Sequence, residues 1–436
     1  MSKVYVLGAG ADATEGIGMP LTNELLSQIT SFLETEKGKS IDNLLRIIYP
    51  KLRFRYSSFI QSAIDNILKD FKPQLNSIIK NITREMDSNP NLNDEHKKWG
   101  SLILAVFKKV SNLEHQAYLD DEIETLIQDL FGTSIPLVDE TILDLNKLVF
   151  TDTFKFVLKE ILSNSMQHPN DPIFCHVYRN MLDLEDLLRK YFIGFYVGKE
   201  SQIKTYSYIA WTLWAYLVTQ EQAVYDKVSN TGRDLPVYSQ IEAESTVITF
   251  NYTSFAAIYG NNRNFKSLYF HGSLLSYIDV KTKNEMVHEA TTFHKLDILE
   301  FFNDILKLNV SFDEPLRYTI PSFLPPINIK PVLTASNITT WYESMEAMMQ
   351  ASKIIIIGYS FNKSDEHFNS ILRLNRDKEI IVVDPNVDEI LDRINPIFNY
   401  RKEDYSPIKI QNKPTQYCNK LKVIQAQAHE IDYSQF

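Results

Sequence analysis

Hydrophobic positions along the chain repeat in two distinct ways. Residues 3 to 8 (KVYVLG), 246 to 250 (TVITF), 267 to 271 (SLYFH), 353 to 358 (KIIIIG) and 379 to 384 (EIIVVD) are short β-branched or aromatic runs, each closed by a glycine or a polar stop. Runs of that kind predict strands buried on both faces of a parallel sheet. Between residues 30 and 240 the spacing changes to threes and fours. Ile60, Ile64, Ile67, Leu68, Phe71, Leu75, Ile78, Ile79 and Ile82 mark one face of an amphipathic helix, which Pro73 is expected to bend or split. Segments 121 to 131, 179 to 192 and 206 to 227 predict further helices, the last carrying Trp211 and Trp214, and 86 to 97 (MDSNPNLNDEHK) predicts a loop. The predicted architecture is α/β. A Rossmann-like parallel sheet core is formed by residues 1 to 30 and 241 to 436, and a helical insertion, residues 31 to 240, interrupts it after the first βα unit.

Composition narrows the function classes. The 436 residues, 44% of them hydrophobic, suffice for two or three domains. A net charge of -10, with no Lys/Arg cluster, argues against direct nucleic-acid binding. The two cysteines, Cys175 and Cys418, cannot supply a disulfide framework or a four-cysteine zinc site, so no metal is expected and a reducing cytoplasm fits. The start of the chain lacks a signal-peptide pattern. The apolar stretch at 208 to 218 (YIAWTLWAYLV) is short of a bilayer span, so a soluble, cytoplasmic protein without membrane contact is expected.

Candidate chemistry collects at the strand ends. Gly8, Gly10 and Ala13 satisfy GxGxxA, a pattern in which glycines allow a tight turn and let a pyrophosphate approach a helix N-terminus. The second strand with a terminal acid that a dehydrogenase would add about twenty residues later is missing, because LLSQITSFLETEKGKSIDNLL reads as helix and loop. Asn251 closes TVITFNYT and His271 closes LYFHGS, which puts both at the carboxyl ends of strands, where open α/β sheets bind ligands. In IIIIGYSFNKSDEHF, Gly358 stops a strand, Ser360 follows, and Asp365 is placed to cap the helix carrying His367. Asp384 ends IIVVDPN, either to accept the hydroxyls of an adenosine ribose, with a preference for NAD over NADP, or to open a turn before Pro385.

The order of these elements resembles the sirtuin-like NAD-binding family, in the branch found in bacterial antiphage NAD hydrolases. The resemblance is carried by GAGAD, GMP (Gly18, Met19, Pro20), TFNYT, FHGS, LPPINIK (Pro325, Pro326, Lys330) and IIGYSFNKSDEHF, in that order. It covers residues 1 to 26 and 246 to about 390; the insertion matches only in being helical and in carrying IETLIQDLF and DLEDLL. It implies that Gly8, Ala9 and Gly10 approach the NAD pyrophosphate, that Gly358 and Ser360 hold phosphate or adenine-side ribose, and that Asp384 binds the adenine ribose. Asn251 and His271 would then be the catalytic pair, the amide placing a water and the imidazole acting as its base or as the partner of a ribose hydroxyl.

Two positions depart from the family pattern. Asp12 stands where Ser is common, and Thr253 where Asp is common. An anionic Asp12 beside a pyrophosphate is tolerable only if it faces away or caps the following helix. The deacylase branch, with its four-cysteine zinc module, is excluded by the cysteine count. The resemblance thus implies an NAD glycohydrolase that releases nicotinamide and ADP-ribose in abortive infection. It also implies a homo-oligomer and a HerA-type ATPase partner. A non-catalytic NAD or ADP-ribose sensor is the alternative, and a nicotinamide-dependent oxidoreductase a distant third.

Overall fold

The computed structural model describes residues 3–436 except 57–58, 61–62, 65–71, 113–117, 120, 133–140, 145–148, 183, 185–186, 190, 193–199, 281, 311–317, 325–331 and 333. Pro325, Pro326 and Lys330 of the LPPINIK motif therefore lie outside the described residues. By internal contacts the chain divides into two compact units: Met1–Leu25, Phe32–Leu52 and Leu187–Phe436 in one, Leu26–Ser31 and Arg53–Asp186 in the other.

The first unit is built on an eight-stranded sheet. Its strands are β1 (Lys3–Leu7), β2 (Thr246–Thr249), β3 (Lys266–Tyr269), β4 (Lys353–Ile357), β5 (Glu379–Asp384), β6 (Ser406–Ile410), β7 (Lys413–Cys418) and β8 (Leu421–Gln425). The spatial order is β6-β7-β8-β5-β4-β1-β2-β3. Six strands are parallel, and the β6–β7 hairpin adds antiparallel to β8. The chain moves outward from β1 to β2 and β3, then returns to the other side of β1 for β4, β5 and β8. That is the doubly wound Rossmann order, with its topological switch point between β1 and β4. All five predicted strands form within a residue or two of their expected bounds.

Residues alternate across the pleat and are buried on both faces. Val4, Val6, Ile248, Ile354, Ile356 and Val382 share one core with Phe368, Leu372 and Ile394 of the covering helices α5 (Glu366–Leu374) and α6 (Val387–Phe398). Tyr5, Leu7, Val247, Ile355, Ile357 and Val383 are buried on the opposite pleat.

The helical texture is divided between the units rather than confined to one insertion. The helix predicted at 206 to 227 is part of a longer one, α2 (Glu200–Thr231), within the sheet-bearing unit. It is anchored there by Trp211 Nε1 donating to Thr319 O at 2.9 Å and Trp214 Nε1 to Leu274 O at 2.8 Å. Residues 32 to 52 belong to the same unit, so its boundary differs from the expected 31 to 240 insertion. The reason is physical: an indole with its N–H bonded to a distant backbone carbonyl, as Trp211 is to the strand Thr319–Pro321, is core material, and sequence periodicity does not say which core.

The second unit is helical, with Lys72–Ser88, Asp94–Ser111, Asp121–Phe131, Asp152–Gln167 and Phe174–Met181. The described part of the first of these helices, Lys72–Ser88, includes Pro73; residues 65–71, on which Ile67, Leu68 and Phe71 of the expected face fall, lie outside the described residues. The loop expected over 86 to 97 contracts to 89 to 93, because Asn93 accepts from the His96 N–H and caps a helix already under way at Asp94. Among the described residues no helix is long and apolar enough to cross a membrane.

The switch point makes the first testable claim. Gly358 has φ +60°, and a Cβ there would lie 2.4 Å from Ala11 N and from Gly10 C. Gly358→Ala is expected to cost roughly 2–5 kcal/mol from backbone strain plus overlap. Gly18→Ala, at φ +79° with nothing within 4 Å, should cost only about 1–2 kcal/mol. Thermal unfolding of both variants checks this, and equal losses would contradict it.

Candidate active site

Five adjacent strands each end in a candidate residue. Read along the carboxyl edge from β3 to β5, these are His271, Asn251, the Gly8–Gly10 turn, Gly358 and Asp384. The β1 and β4 turns touch. Gly10 N–H donates to Gly358 O at 2.9 Å, Gly8 N–H to Ile357 O at 2.9 Å, and a Cβ on Gly8 would stand 2.4 Å from Gly358 O. The close approach that the glycines permit is therefore, first of all, that of one turn to the other. Ala9 is exposed and Gly10 half-buried at this edge.

The fingerprint reading needs one correction. The helix after Gly8 is α1 (Ala9–Asp12), a single turn, so it lacks the aligned peptide dipoles that make a helix N-terminus an anion site. Asp12 ends that turn and is buried. It accepts from Tyr238 Oη and from Thr253 Oγ1, both at 2.6 Å. Burial pushes its carboxyl up to about 6, against the hydrogen bonds from Thr253, Tyr238 and Asn251, which favour the anion. The two departures from the family pattern thus meet in one hydrogen bond, acid at 12 and hydroxyl at 253.

Asn251 follows β2. Its N–H donates to Thr249 Oγ1 at 3.1 Å and its Nδ2 to Gly8 O at 3.0 Å, tying the amide to the β1 turn. His271 follows β3 at the matching register, since Thr249 pairs with Tyr269 and Phe270 N–H continues the ladder to Thr249 O. The strands stay together beyond it, Leu274 N–H donating to Tyr252 O at 2.7 Å. Parallel neighbours at matched positions lie about 5 Å apart in backbone. The two side chains nevertheless have different partners.

The imidazole of His271 stands edge-on to Phe250, 4.8 Å between centroids, and its Nε2 lies 2.9 Å from Asp365 Oδ1. Asp365 occupies the N-cap position of α5, as expected, but makes no side-chain cap bond there. Its carboxylate is turned to His271 and to Tyr359 Oη, which donates to Oδ2 at 3.2 Å. The turn that brings it round holds Phe361 at φ +50°, a strain of about 1–3 kcal/mol sustained by burial of that ring.

The adenine-side candidates are more open. Ser360 is exposed, and its carbonyl accepts from Arg393 Nη1 at 2.7 Å. Asp384 opens a turn: Oδ1 accepts the Asn386 N–H at 2.8 Å. Burial first, and then Glu389, raise its carboxyl above the usual range, with Asn386 and Arg393 opposing. The structure thus bears out the turn-opening reading of Asp384 and leaves its ribose reading as a proposal. Among the described residues no group of three His, Cys, Asp or Glu side chains is arranged to hold a metal. A separate cleft of about 660 Å³, lined by Gln240, Glu242, Arg263, His429 and Asp432 among others, contains none of the candidate residues.

Three participants escaped the sequence reading. Glu221, on α2, accepts from Ser254 N–H at 3.0 Å and from the Ser254 hydroxyl, and so braces the segment after Asn251 from below. Asp365 was legible only as a cap. Arg393 carried no signal beyond its place on a helix.

Asp12 and Glu221 give the site a pH signature. Burial pushes Glu221 up to about 7, with the Asp12 charge adding to it against the bonds from Ser254. A carboxyl whose folded pKa exceeds its unfolded value stabilises the fold in its protonated state, and that stability is lost as pH rises. The windows are 3.8 to about 6 for Asp12 and 4.5 to about 7 for Glu221. Melting temperature should therefore decline less steeply in Glu221→Gln than in the wild type as pH rises from 4.5 to 7. Parallel slopes in the two proteins would refute the assignment.

No protein-family model matches the chain, and no curated protein matches it.

Proposed function

We propose that the chain is an NAD+ glycohydrolase, cleaving the nicotinamide–ribose bond to give nicotinamide and ADP-ribose. The observation that carries the reading is the matched register of β2 and β3, each of which is followed two residues on by Asn251 or His271, at the carboxyl edge where a doubly wound sheet binds its ligand. From His271 to Asp384 the crevice crosses five strands, which is four strand spacings or about 19 Å. A dinucleotide laid over the Gly8–Gly10 and Gly358 turns would reach both ends.

Cleavage of this bond develops positive charge on the ribose while a neutral base departs, so the leaving group requires no general acid. A positioned water and a base suffice. Asn251, its Nδ2 turned to Gly8 O, presents Oδ1 as an acceptor for that water, and His271 accepts the proton. Asp12 is buried and hydrogen-bonded by Tyr238 and Thr253, which weakens the electrostatic objection to an acid at that position. The exchange of acid and hydroxyl between positions 12 and 253 supports the resemblance, because a paired departure keeps one hydrogen bond. The antiphage role, a homo-oligomer and a HerA-type ATPase partner rest on that resemblance alone.

The test is product analysis after incubating the purified chain with NAD+, with and without its genomic neighbour. Asn251→Ala and His271→Ala should each lower nicotinamide release by about 10²- to 10⁴-fold with the fold intact. Turnover at the wild-type rate in either variant would defeat the assignment. Tight NAD+ binding with no nicotinamide formed, under every condition, would favour the sensor instead.

A further inference from the structure

The segment Asn251–Ser254, between β2 and the helix Phe255–Arg263, is held against the β1 turn at two points. Asn251 Nδ2 donates to Gly8 O at 3.0 Å, and two residues on, Thr253 Oγ1 donates to Asp12 Oδ2 at 2.6 Å. Gly8 caps and Asp12 ends the single turn α1, closed by Ala11 N–H donating to Gly8 O at 3.0 Å. The acid and the acceptor of the Asn251 amide therefore belong to one small rigid piece. Ser254 is gripped separately, from α2, where Glu221 accepts its N–H at 3.0 Å. Asp12 itself is only 3% exposed, and a buried carboxylate is costly unless its charge is met. Two hydroxyls meet it, those of Thr253 and Tyr238, each at the 2.6 Å of a charge-assisted bond. An ionised carboxylate accepts at both oxygens, whereas an amide offers one acceptor oxygen and must release one of the two donors or turn it round. An apolar side chain would fill the place without the desolvation cost, but it would leave the Thr253 hydroxyl nothing to hold.

We propose that Asp12 is the positioning residue for Asn251: through Thr253 it fixes the loop against the β1 turn, so that the amide stays bonded to Gly8 O by Nδ2 and keeps Oδ1 for the attacking water. The assignment deepens the glycohydrolase reading and rests on it for its catalytic consequence. Asp12 touches no reacting atom and takes no proton. Its effect is on geometry alone, and a displacement of about 1 Å at a group that orients a reactant can cost about 10²-fold in rate. Because Asp12 and Thr253 meet in one acid–hydroxyl bond, their side chains can be exchanged. In the double variant Asp12→Thr/Thr253→Asp, the hydroxyl at position 12 can accept from Tyr238 and donate to the acid at position 253, which restores the clamp with the roles reversed.

The tests are steady-state kinetics and amide hydrogen exchange over residues 249 to 256, both on the full-length chain. Asp12→Thr and Thr253→Asp should each lower kcat roughly 10- to 100-fold, with KM within about threefold, and should speed exchange in that segment. The double variant should recover most of both, a coupling that two independent losses, which add, would not give. Asp12→Asn, the isosteric change, should show the same fall in kcat at nearly constant KM, so poor folding of another variant does not remove the test. A double variant no better than the poorer single, or an Asp12→Asn chain with wild-type kcat, overturns the proposal while the glycohydrolase reading stands. A wild-type chain that releases no nicotinamide overturns that reading and, with it, the catalytic role of Asp12, whatever the exchange rates show.

Discussion

The contact of two glycine turns governs the carboxyl edge of this sheet. Gly8 and Gly10 after β1 and Gly358 after β4 pack backbone to backbone, with a hydrogen bond from Gly10 N–H to Gly358 O at 2.9 Å. A side chain at any of the three would enter the neighbouring turn. Because the doubly wound order reverses between these strands, the same contact sets the floor of the crevice and the height at which Asn251 is held, through its bond to Gly8 O. The glycines are required by the fold whether or not a phosphate lies above them, which is why a GxGxxA match alone says little about ligands.

Above that floor, buried acids do the positioning. Asp12 holds Tyr238 and Thr253, Glu221 holds Ser254, and Asp365 holds His271 and Tyr359. Each carboxyl is buried and has its hydrogen bonds or ion pair supplied by groups on other elements. In a low-dielectric interior such pairs are strong and directional. They convert a strand end and the loop after it, normally mobile parts of a fold, into fixed geometry around Asn251 and His271.

Much of this was legible in the chain itself. Four of the five predicted strands are continuous β-branched runs because burial on both faces permits no polar alternation, and all five appear where expected, the edge strand β3 (KSLY) with only Leu268 buried. Strands β6 to β8 left a weaker trace: SPIKI is largely exposed and KPTQYC only half-buried, so their apolar pattern is thin. Helix α2 was recognisable as a helix but not as part of the sheet-bearing unit, because its Trp211 and Trp214 hydrogen bonds are with backbone carbonyls more than 50 residues away. Asn251 and His271 could be read from strand ends. The turn of Asp365 away from its cap could not, since a cap is a local signal and the competing partner lies 94 positions earlier. Asp12 and Thr253 looked like two separate anomalies in sequence, and only their 2.6 Å hydrogen bond makes them one feature.

The central claim is a ligand position: a dinucleotide across the strand ends, with its nicotinamide-side ribose between Asn251 and His271. A crystal structure of the chain with ADP-ribose measures it directly. The pyrophosphate is expected over the Gly8–Gly10 and Gly358 turns, the adenine ribose toward Asp384 and the free ribose within hydrogen-bonding reach of the Asn251 amide. Density for the ligand in the cleft lined by Gln240, Arg263 and His429, or on the opposite edge of the sheet, would contradict it.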